Sequence, residues 1–280
     1  MLFINSKPLN QLNESFPVQL EDILSIQGIE TFLSENTPLD KIFLFSSLKS
    51  TNNTAKDMIR TKIPHGTVII ADSQTKGRGR YNRSFFSPSG HGIYMSIVLE
   101  LNKSNLANHL HLVTLATAVA TCEGIERATV KKPRIKWVND IFLNQKKISG
   151  ILTEKVMDGE NTPWIIIGIG INFSTPADTF PMEIKDTAGS IFPNKPPTTT
   201  RNQLIAEILN QLLSPQHFNT QKILSEYKKR LMFIGEETLI TGFGPPFKGK
   251  IVDIDEAGSL IVRKENDQQI HLSVGEISLL

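Results

Sequence analysis

The chain has 280 residues, room for one large domain or two unequal ones at roughly 150 residues per domain. With 39% hydrophobic and 21% charged residues, its composition is that of an ordinary globular protein, which excludes a disordered or collagen-like chain. Thirty lysines and arginines against 28 aspartates and glutamates leave a net charge of +2, too weak a field for wholesale binding to a phosphate backbone. The single cysteine, Cys122, lies in an apolar stretch and can form neither an internal disulfide nor a cysteine-rich zinc site, which fits a reducing compartment. No apolar run reaches the roughly 20 residues that span a bilayer, and Met1 to Asn10 has no basic start and turns polar at Asn5. These features predict a cytoplasmic protein with no membrane partner.

Residues 1–40 alternate short apolar groups with polar residues and sustain no period, and they read as a small appendage of unclear role. From Lys41 the pattern is clear. Ile42 to Phe45 predicts a strand, and Ser50 and Thr51 supply N-cap hydroxyls for a short helix through about Ile59. Thr67 to Ala71 is β-branched and predicts a strand, Ser73 to Gly92 a long mobile loop, and Ile93 to Leu101 another strand. Leu106, Leu110, Val113, Ala116 and Ala120 recur at helical spacing, which predicts a core-facing helix over Asn105 to Arg127. Arg134 to Val138, Ile141 to Leu143 and Ile148 to Glu154 predict successive strands, with Asn144 and Gln145 as a hairpin turn, so the sheet is at least partly antiparallel. Ile165 to Phe173 is nearly continuous apolar with Gly168 and Gly170 interleaved, as suits a buried central strand that something approaches closely. Helices are expected at Arg201 to Leu213 and His217 to Met232. After them come short strands at Thr238 to Thr241, Phe247 to Ile254, Ser259 to Arg263 and Gln269 to Ser273, which read as a small β-barrel. The plan is an α+β body over 41–233 and an all-β unit over 234–280.

Four places carry chemistry. In Gly77-Arg78-Gly79-Arg80-Tyr81-Asn82-Arg83, two glycines let backbone N–H groups approach an anion and three arginines supply forked donors, so the segment reads as an anion-binding lid, as a solvated basic loop or as an RNA-binding arginine-rich segment. In Lys136-Trp137-Val138-Asn139-Asp140, strand alternation puts Lys136 and Val138 on one face and Trp137 and Asn139 on the other. A lysine on a core strand is costly without an opposite charge, so it answers either a bound carboxylate or phosphate, or Asp140. Gly168 and Gly170 followed by Asn172 leave space beside an amide that can pair with an adenine edge, or merely pack against a helix. Ser50, Thr51 and Asn52 at a helix start, with Gln74 ahead of the lid, either satisfy a small polar ring or only cap and turn. The six histidines form no metal pair on a shared helix face, and neither a Gly-x-Ser-x-Gly elbow nor a Walker loop occurs, so metal hydrolases and P-loop enzymes drop out.

Taken in order, Ser50-Thr51-Asn52, Gln74 with Gly77-Arg78-Gly79-Arg80, Lys136-Trp137-Val138-Asn139-Asp140, Lys147-Ile148-Ser149-Gly150-Ile151-Leu152 and Gly168-Ile169-Gly170-Ile171-Asn172 resemble the biotin protein ligase family. The resemblance runs from about residue 41 to 280, including Gly275-Glu276-Ile277-Ser278-Leu279. It implies a catalytic domain with a mixed sheet, related to class II aminoacyl-tRNA synthetases, followed by a small SH3-like barrel. It also implies formation of biotinyl-5′-AMP from biotin and MgATP, then transfer of biotin to one lysine of a biotin carboxyl carrier domain of acetyl-CoA carboxylase. By position, Ser50, Thr51, Asn52 and Gln74 meet the biotin ring, while Arg78, Gly79 and Arg80 close over its carboxylate side. Lys136 holds the carboxylate and the α-phosphate, with Arg80 as the second catalytic cation. Gly77, Arg78, Arg80, Phe85, Asn139, Lys147, Gly168, Gly170 and Asn172 meet the nucleotide. No residue is assigned to a protein-held metal.

Three positions depart from the family pattern, which commonly has glycine at Asn82, tryptophan at Phe85 and proline at Val138. Asn82 tolerates positive φ better than most residues, and Phe85 keeps an aromatic wall without the indole donor. The roughly 40 residues before the body are too few for a typical winged helix and lack a basic recognition helix, so a DNA-binding repressor role is not expected. A homodimer through edge-strand pairing stays open. The alternatives are a lipoate or octanoate protein ligase or transferase on the related fold, which expects a different anion loop, and a noncatalytic protein that retains the pocket.

Overall fold

The computed structural model describes residues 22–103, 110–194, 197–214, 219–242 and 244–279. Seven strands form one sheet: β1 (Ile42–Phe45), β2 (Thr67–Ala71), β3 (Gly92–Glu100), β4 (Arg134–Lys136), β5 (Asp140–Leu143), β6 (Lys146–Met157) and β7 (Pro163–Asn172). Their order is β1-β2-β3-β7-β6-β5-β4, with β1 and β2 parallel and every other pair antiparallel. The longest continuous apolar strand, β7, therefore lies in the middle, as its composition requires. Asn144 and Gln145 turn between β5 and β6 with φ of 49° and 62°, left-handed values that match the twist of a tight hairpin.

Among the described residues five α-helices accompany the sheet: α1 (Ile26–Glu30), α2 (Thr51–Ile59), α3 (Leu110–Ala128), α4 (Arg201–Leu212) and α5 (Thr220–Arg230). The residues of α3 and α4 share one core with Ile165, Ile167, Ile169 and Ile171 of β7 and with Ile93 and Ile97 of β3. On the opposite face, Ala55 and Ile59 of α2 pack on Ile69, Val98, Trp164 and Ile166. That second cluster covers only one end of the sheet. The remainder of the α2 face, floored by the glycines of β6 and β7, is where the polar residues gather. Among the described residues no helix is long and apolar enough to cross a membrane.

The segment before β1 is bound to the body. Helix α1 packs on α4, and Arg201, 3% exposed, donates from Nε to Asp22 Oδ2 at 2.8 Å and from Nη1 to Asp72 Oδ1 at 2.6 Å. A buried guanidinium needs such paired acceptors, and these tie residue 22, the end of β2 and the start of α4 together. Residues 1–21 lie outside the described chain.

The C-terminal unit is a five-stranded antiparallel sheet of β8 (Glu237–Thr241), β9 (Phe247–Ile254), β10 (Leu260–Lys264), β11 (Gln269–Leu272) and β12 (Glu276–Leu279), in the order β11-β10-β9-β8-β12. It is the small all-β unit read from the spacing and the SH3-like unit that the resemblance implies, with a fifth strand, β12, added against β8. Among the contacts that join it to the body, the Trp137 indole N–H donates to the Gly258 carbonyl at 3.2 Å, Lys228 pairs with Asp253 at 2.7 Å, and Arg83 pairs with Glu276 at 2.7 Å.

Two expectations need correction. The strand predicted over Arg134 to Val138 ends at Lys136, and Trp137 to Asn139 form a turn, so alternation does not continue. Trp137 and Val138 are consequently both buried, the indole against the C-terminal unit and the Val138 carbonyl accepting from Tyr227 Oη at 3.1 Å. The helix predicted over His217 to Met232 is observed over Thr220–Arg230, capped by Asn219, whose side chain accepts from the Lys222 N–H. Residues 215–218 and the start predicted for α3 at Asn105 fall outside the described residues.

Candidate active site

Register, rather than sequence spacing, assembles the site. Gly150 pairs with Gly170 and Leu152 with Gly168 across β6 and β7, while Ser96 of β3 pairs with Gly168 from the other side. These residues share the α2 face of the sheet. The two β7 glycines are needed for close approach. A β-carbon at Gly168 would stand 2.2 Å from Asn52 Oδ1, and one at Gly170 would stand 2.7 Å from Phe85 Cε1. The space they clear is thus taken by Asn52 and the Phe85 ring, not kept beside Asn172 for an adenine as the sequence suggested.

The inner pocket is lined by Ser50, Thr51, Asn52, Gln74, Arg78 and Phe85 above this floor, with about 20 Å³ of remaining cavity. Its polar groups form one network. Asn52 Nδ2 donates to Glu154 Oε2 at 2.9 Å and to the Leu152 carbonyl at 3.3 Å. Ser96 Oγ lies 2.6 Å from Asn52 Oδ1 and 2.8 Å from Thr51 Oγ1. The Thr51 N–H donates to Gln74 Oε1 at 2.9 Å, and Gln74 Nε2 donates to Ser87 Oγ at 3.0 Å. Ser50 occupies the N-cap position of α2 and is buried, yet makes no side-chain capping bond. The simple capping explanation for Ser50 therefore fails.

The Gly77–Arg83 segment folds back over the pocket, with the Gly79 N–H donating to the Arg83 carbonyl at 2.7 Å and the Phe85 N–H to the Gly77 carbonyl at 3.0 Å. Gly77 serves this closure: a β-carbon there would stand 2.4 Å from the Phe85 carbonyl oxygen. Tyr81 and Asn82 hold φ of 54° and 59°, so Asn82 does occupy the left-handed region for which asparagine is suited. Arg78 reaches back to Asn53 Oδ1 at 2.9 Å and to Glu154 at 3.3 Å, while Arg80 Nη1 donates to Asn139 Oδ1 at 3.0 Å. Asn139 is held in turn by Nδ2 donating to the Ile151 carbonyl at 2.9 Å.

Arg78 and Phe85 also line an adjoining outer groove of about 420 Å³, whose walls include Gly79, Arg80, Lys136, Asn139, Lys147 and Glu276. Lys147 pairs with Asp140 at 2.6 Å, and Lys136 Nζ stands 5.7 Å from the Phe142 ring centroid. Burial pushes the Lys136 ammonium below its ordinary pKa; the nearby Asp140 charge opposes this and Lys147 adds to it. A half-buried cation of this kind gains most when an anion enters the groove.

Of the residues assigned from the resemblance to biotin, the nucleotide or catalysis, all but Gly77 and Asn172 line one or both cavities. Asn172 is buried, with Nδ2 donating to the Gly189 carbonyl at 2.9 Å, and it braces the 184–191 wall. Three residues that belong to the site went unread: Ser96, Glu154 and Glu276. Glu154 accepts from Lys56 at 2.7 Å as well as from Asn52. Burial disfavours its charge, but the hydrogen bonds from Lys56 and Asn52 and the charges of Lys56 and Arg78 outweigh that and hold its carboxyl below the usual glutamate range. Glu276, on β12, pairs with Arg83 of the lid at 2.7 Å. The one available signal for Glu154 was parity, since it shares a strand face with Gly150 and Leu152.

The polar pocket and the adjoining cationic groove lie on one face of a mixed sheet, and residues 44–172, which build most of both, match the Biotin/lipoate A/B protein ligase family. Residues 233–280 match the biotin protein ligase C terminal domain. The chain is 35% identical over 228 residues to the bifunctional ligase/repressor BirA of Bacillus spizizenii, covering 78% of this chain and 68% of that protein. It is 26% identical over 216 residues to the biotin--[acetyl-CoA-carboxylase] ligase of Paracoccus denitrificans, covering 72% and 86%. Biotin protein ligase from Aquifex aeolicus, solved in complex with biotin and ATP, superposes with a TM-score of 0.72 at 26% identity, covering 86% of this chain and 98% of that one. The chain belongs to the biotin protein ligase family and is a ligase.

Proposed function

We propose that this enzyme joins biotin to ATP as biotinyl-5′-AMP and then passes the biotinyl group to one lysine of a biotin carboxyl carrier domain. The observation that carries this reading is the adjacency of the two cavities: the hydrogen-bonding pocket under α2 and the cationic groove share Arg78, Phe85, Gly150 and Leu152 in their walls. A ligand with a polar ring at one end and a carboxylate at the other fits that sequence of environments.

In the first step a carboxylate oxygen attacks the α-phosphorus of MgATP and pyrophosphate leaves. Two anions must meet, so the barrier falls chiefly by positioning and by cations fixed in place beforehand. Lys136 and Arg80 supply that charge, Arg80 being oriented by Asn139. Ser50, Thr51, Asn52 and Gln74 hold the ring; Arg78 and Gly79 close over the carboxylate side. Gly77 keeps the lid closed, Phe85 and Lys147 border the nucleotide, and the Gly168–Gly170 floor lies beneath the ring. Asn172 acts on the nucleotide through the wall it braces. Magnesium enters as part of the nucleotide substrate.

In the second step the carrier lysine ε-amine attacks the acyl carbon, forming an amide and releasing AMP. A closed lid keeps water from the mixed anhydride until then. Residues 41–233 form the catalytic domain in this reading and 234–280 the C-terminal domain. The lone buried thiol, Cys122, supports a reducing, cytoplasmic setting.

The test is to incubate the purified protein with MgATP and an isolated carrier domain, offering biotin or lipoate in parallel, and to record the carrier's intact mass. A biotin-sized, ATP-dependent increment is expected. An increment with lipoate alone would transfer the enzyme to lipoate chemistry.

A further inference from the structure

We infer that Glu154 is a positioning residue that sets the hydrogen-bond polarity of the inner pocket, acting through Asn52 and Ser96 so that Thr51 presents an acceptor to a ring N–H. The inference deepens the proposed function and rests on it for the identity of the ring.

The argument is a count of protons. Asn52 Nδ2 faces two groups that only accept, the Glu154 carboxylate at 2.9 Å and the Leu152 carbonyl at 3.3 Å. Turning the amide over would set Oδ1 against both, an anion among them, so Asn52 Oδ1 is held toward β3. Ser96 Oγ, fully buried, lies 2.6 Å from that oxygen and 2.8 Å from Thr51 Oγ1. A serine hydroxyl carries one proton, and Asn52 Oδ1 can only receive it. The Ser96–Thr51 contact must therefore be filled from the other side, with the Thr51 hydroxyl donating to Ser96.

That commits Thr51's single proton. Its remaining neighbour, Gln74 Oε1, is farther away at 3.3 Å and already accepts the Thr51 backbone N–H at 2.9 Å. Thr51 Oγ1 is left with lone pairs toward the pocket that it lines. An acceptor there suits the N–H of a cyclic urea and opposes a carbonyl oxygen in the same place. The carboxylate end of the relay is a charge throughout the neutral range, because Lys56, Asn52 and Arg78 hold the Glu154 carboxyl below its usual value. The neutral Leu152 carbonyl, at 3.3 Å, would by itself hold the amide more weakly. A hydrogen bond to a charged group is stronger than one to a neutral group, and the bias propagates along the chain.

The experiment is a double-mutant cycle of Glu154→Ala and Ser96→Ala in the full chain, reading biotin KM, ATP KM and kcat from pyrophosphate release, with thermal melts to confirm folding. Glu154→Ala is expected to raise the biotin KM about tenfold, with the ATP KM within about twofold. In the double variant the biotin KM should equal that of Ser96→Ala alone, because Glu154 acts through Ser96. Glu154→Gln, whose amide can still accept from Asn52, should recover part of the loss. Additive effects, or an ATP KM that rises as much as that of biotin, would show Glu154 acting on the lid through Arg78 and overturn the inference. A Glu154→Ala protein with the wild-type biotin KM would overturn it as well. If the wild-type protein itself releases no pyrophosphate with biotin, the proposed function fails instead, and the two failures are distinct.

Discussion

Along β7 the two faces of one strand carry opposite demands. Ile165, Ile167, Ile169 and Ile171 join the core shared with α3 and α4, while Trp164 and Ile166 pack under α2 and Gly168 and Gly170 floor the pocket. On the first face side-chain volume stabilises the fold; on the second its removal makes room for Asn52 and Phe85. Because successive residues point to opposite faces, stability and site are written into alternate positions of the same ten-residue strand. The two should separate on mutation.

The largest expected effect lies on the site side. Lys136→Ala should lower the rate of adenylate formation by about 10²–10³, as for loss of a charge stabiliser in other active sites, with the melting temperature little changed; a variant that merely unfolds would erase the contrast. The opposite face gives the next effect. Ile167→Ala should cost about 2–5 kcal/mol of stability, seen in denaturant titration, while the biotin KM of the folded fraction stays at its wild-type value. Gly168→Ala forces a β-carbon onto Asn52, and about a tenfold rise in biotin KM is expected with a smaller stability loss than for Ile167→Ala. If the order of those two stability losses reversed, the division by parity would be refuted.

Two finer measurements sharpen it. Lys136, held below its ordinary value of 10.5 by burial, loses its proton at a lower pH than a solvated lysine. The alkaline fall of kcat/KM, which reports the free enzyme, should therefore begin below pH 10.5 and move upward in Lys136→Arg. Smallest is Arg83→Ala. Its rim ion pair with Glu276 is largely solvated, and such pairs contribute about 0.2–1 kcal/mol. A rise of about two- to fivefold in the rate of adenylate release, followed by equilibrium dialysis against time, is expected.

How much of this was legible beforehand depends on how local the signal is. The strands β2 and β7 announce themselves through β-branched and isoleucine runs, and the β5–β6 turn through Asn144-Gln145. The end of β4 did not, because Trp137 is turned by its contact with Gly258, 121 residues away. Ser96 and Glu154 were silent for a related reason. A serine in an apolar strand and a glutamate near the end of another acquire meaning only once register sets them beside Gly168 and Ile166. Asn172, read as an amide that can pair with an adenine edge, donates from Nδ2 to Gly189, a partner that no spacing rule names.

The glycine floor also bears on which ligands a redesigned version of this enzyme will take. A pocket bounded by bulky side chains can be enlarged by trimming them, one methylene at a time. Where the boundary is the main chain of Gly150, Gly168 and Gly170, nothing remains to trim, and depth in that direction is fixed by strand geometry. Selection for a larger head group must therefore move through the roof, at Asn52 or Phe85, and in doing so disturbs the lid or the hydrogen-bond network. Selection for a smaller one can add a methyl at Gly150, where a β-carbon would meet nothing nearer than 3.4 Å, but not at Gly168 or Gly170 without moving the roof.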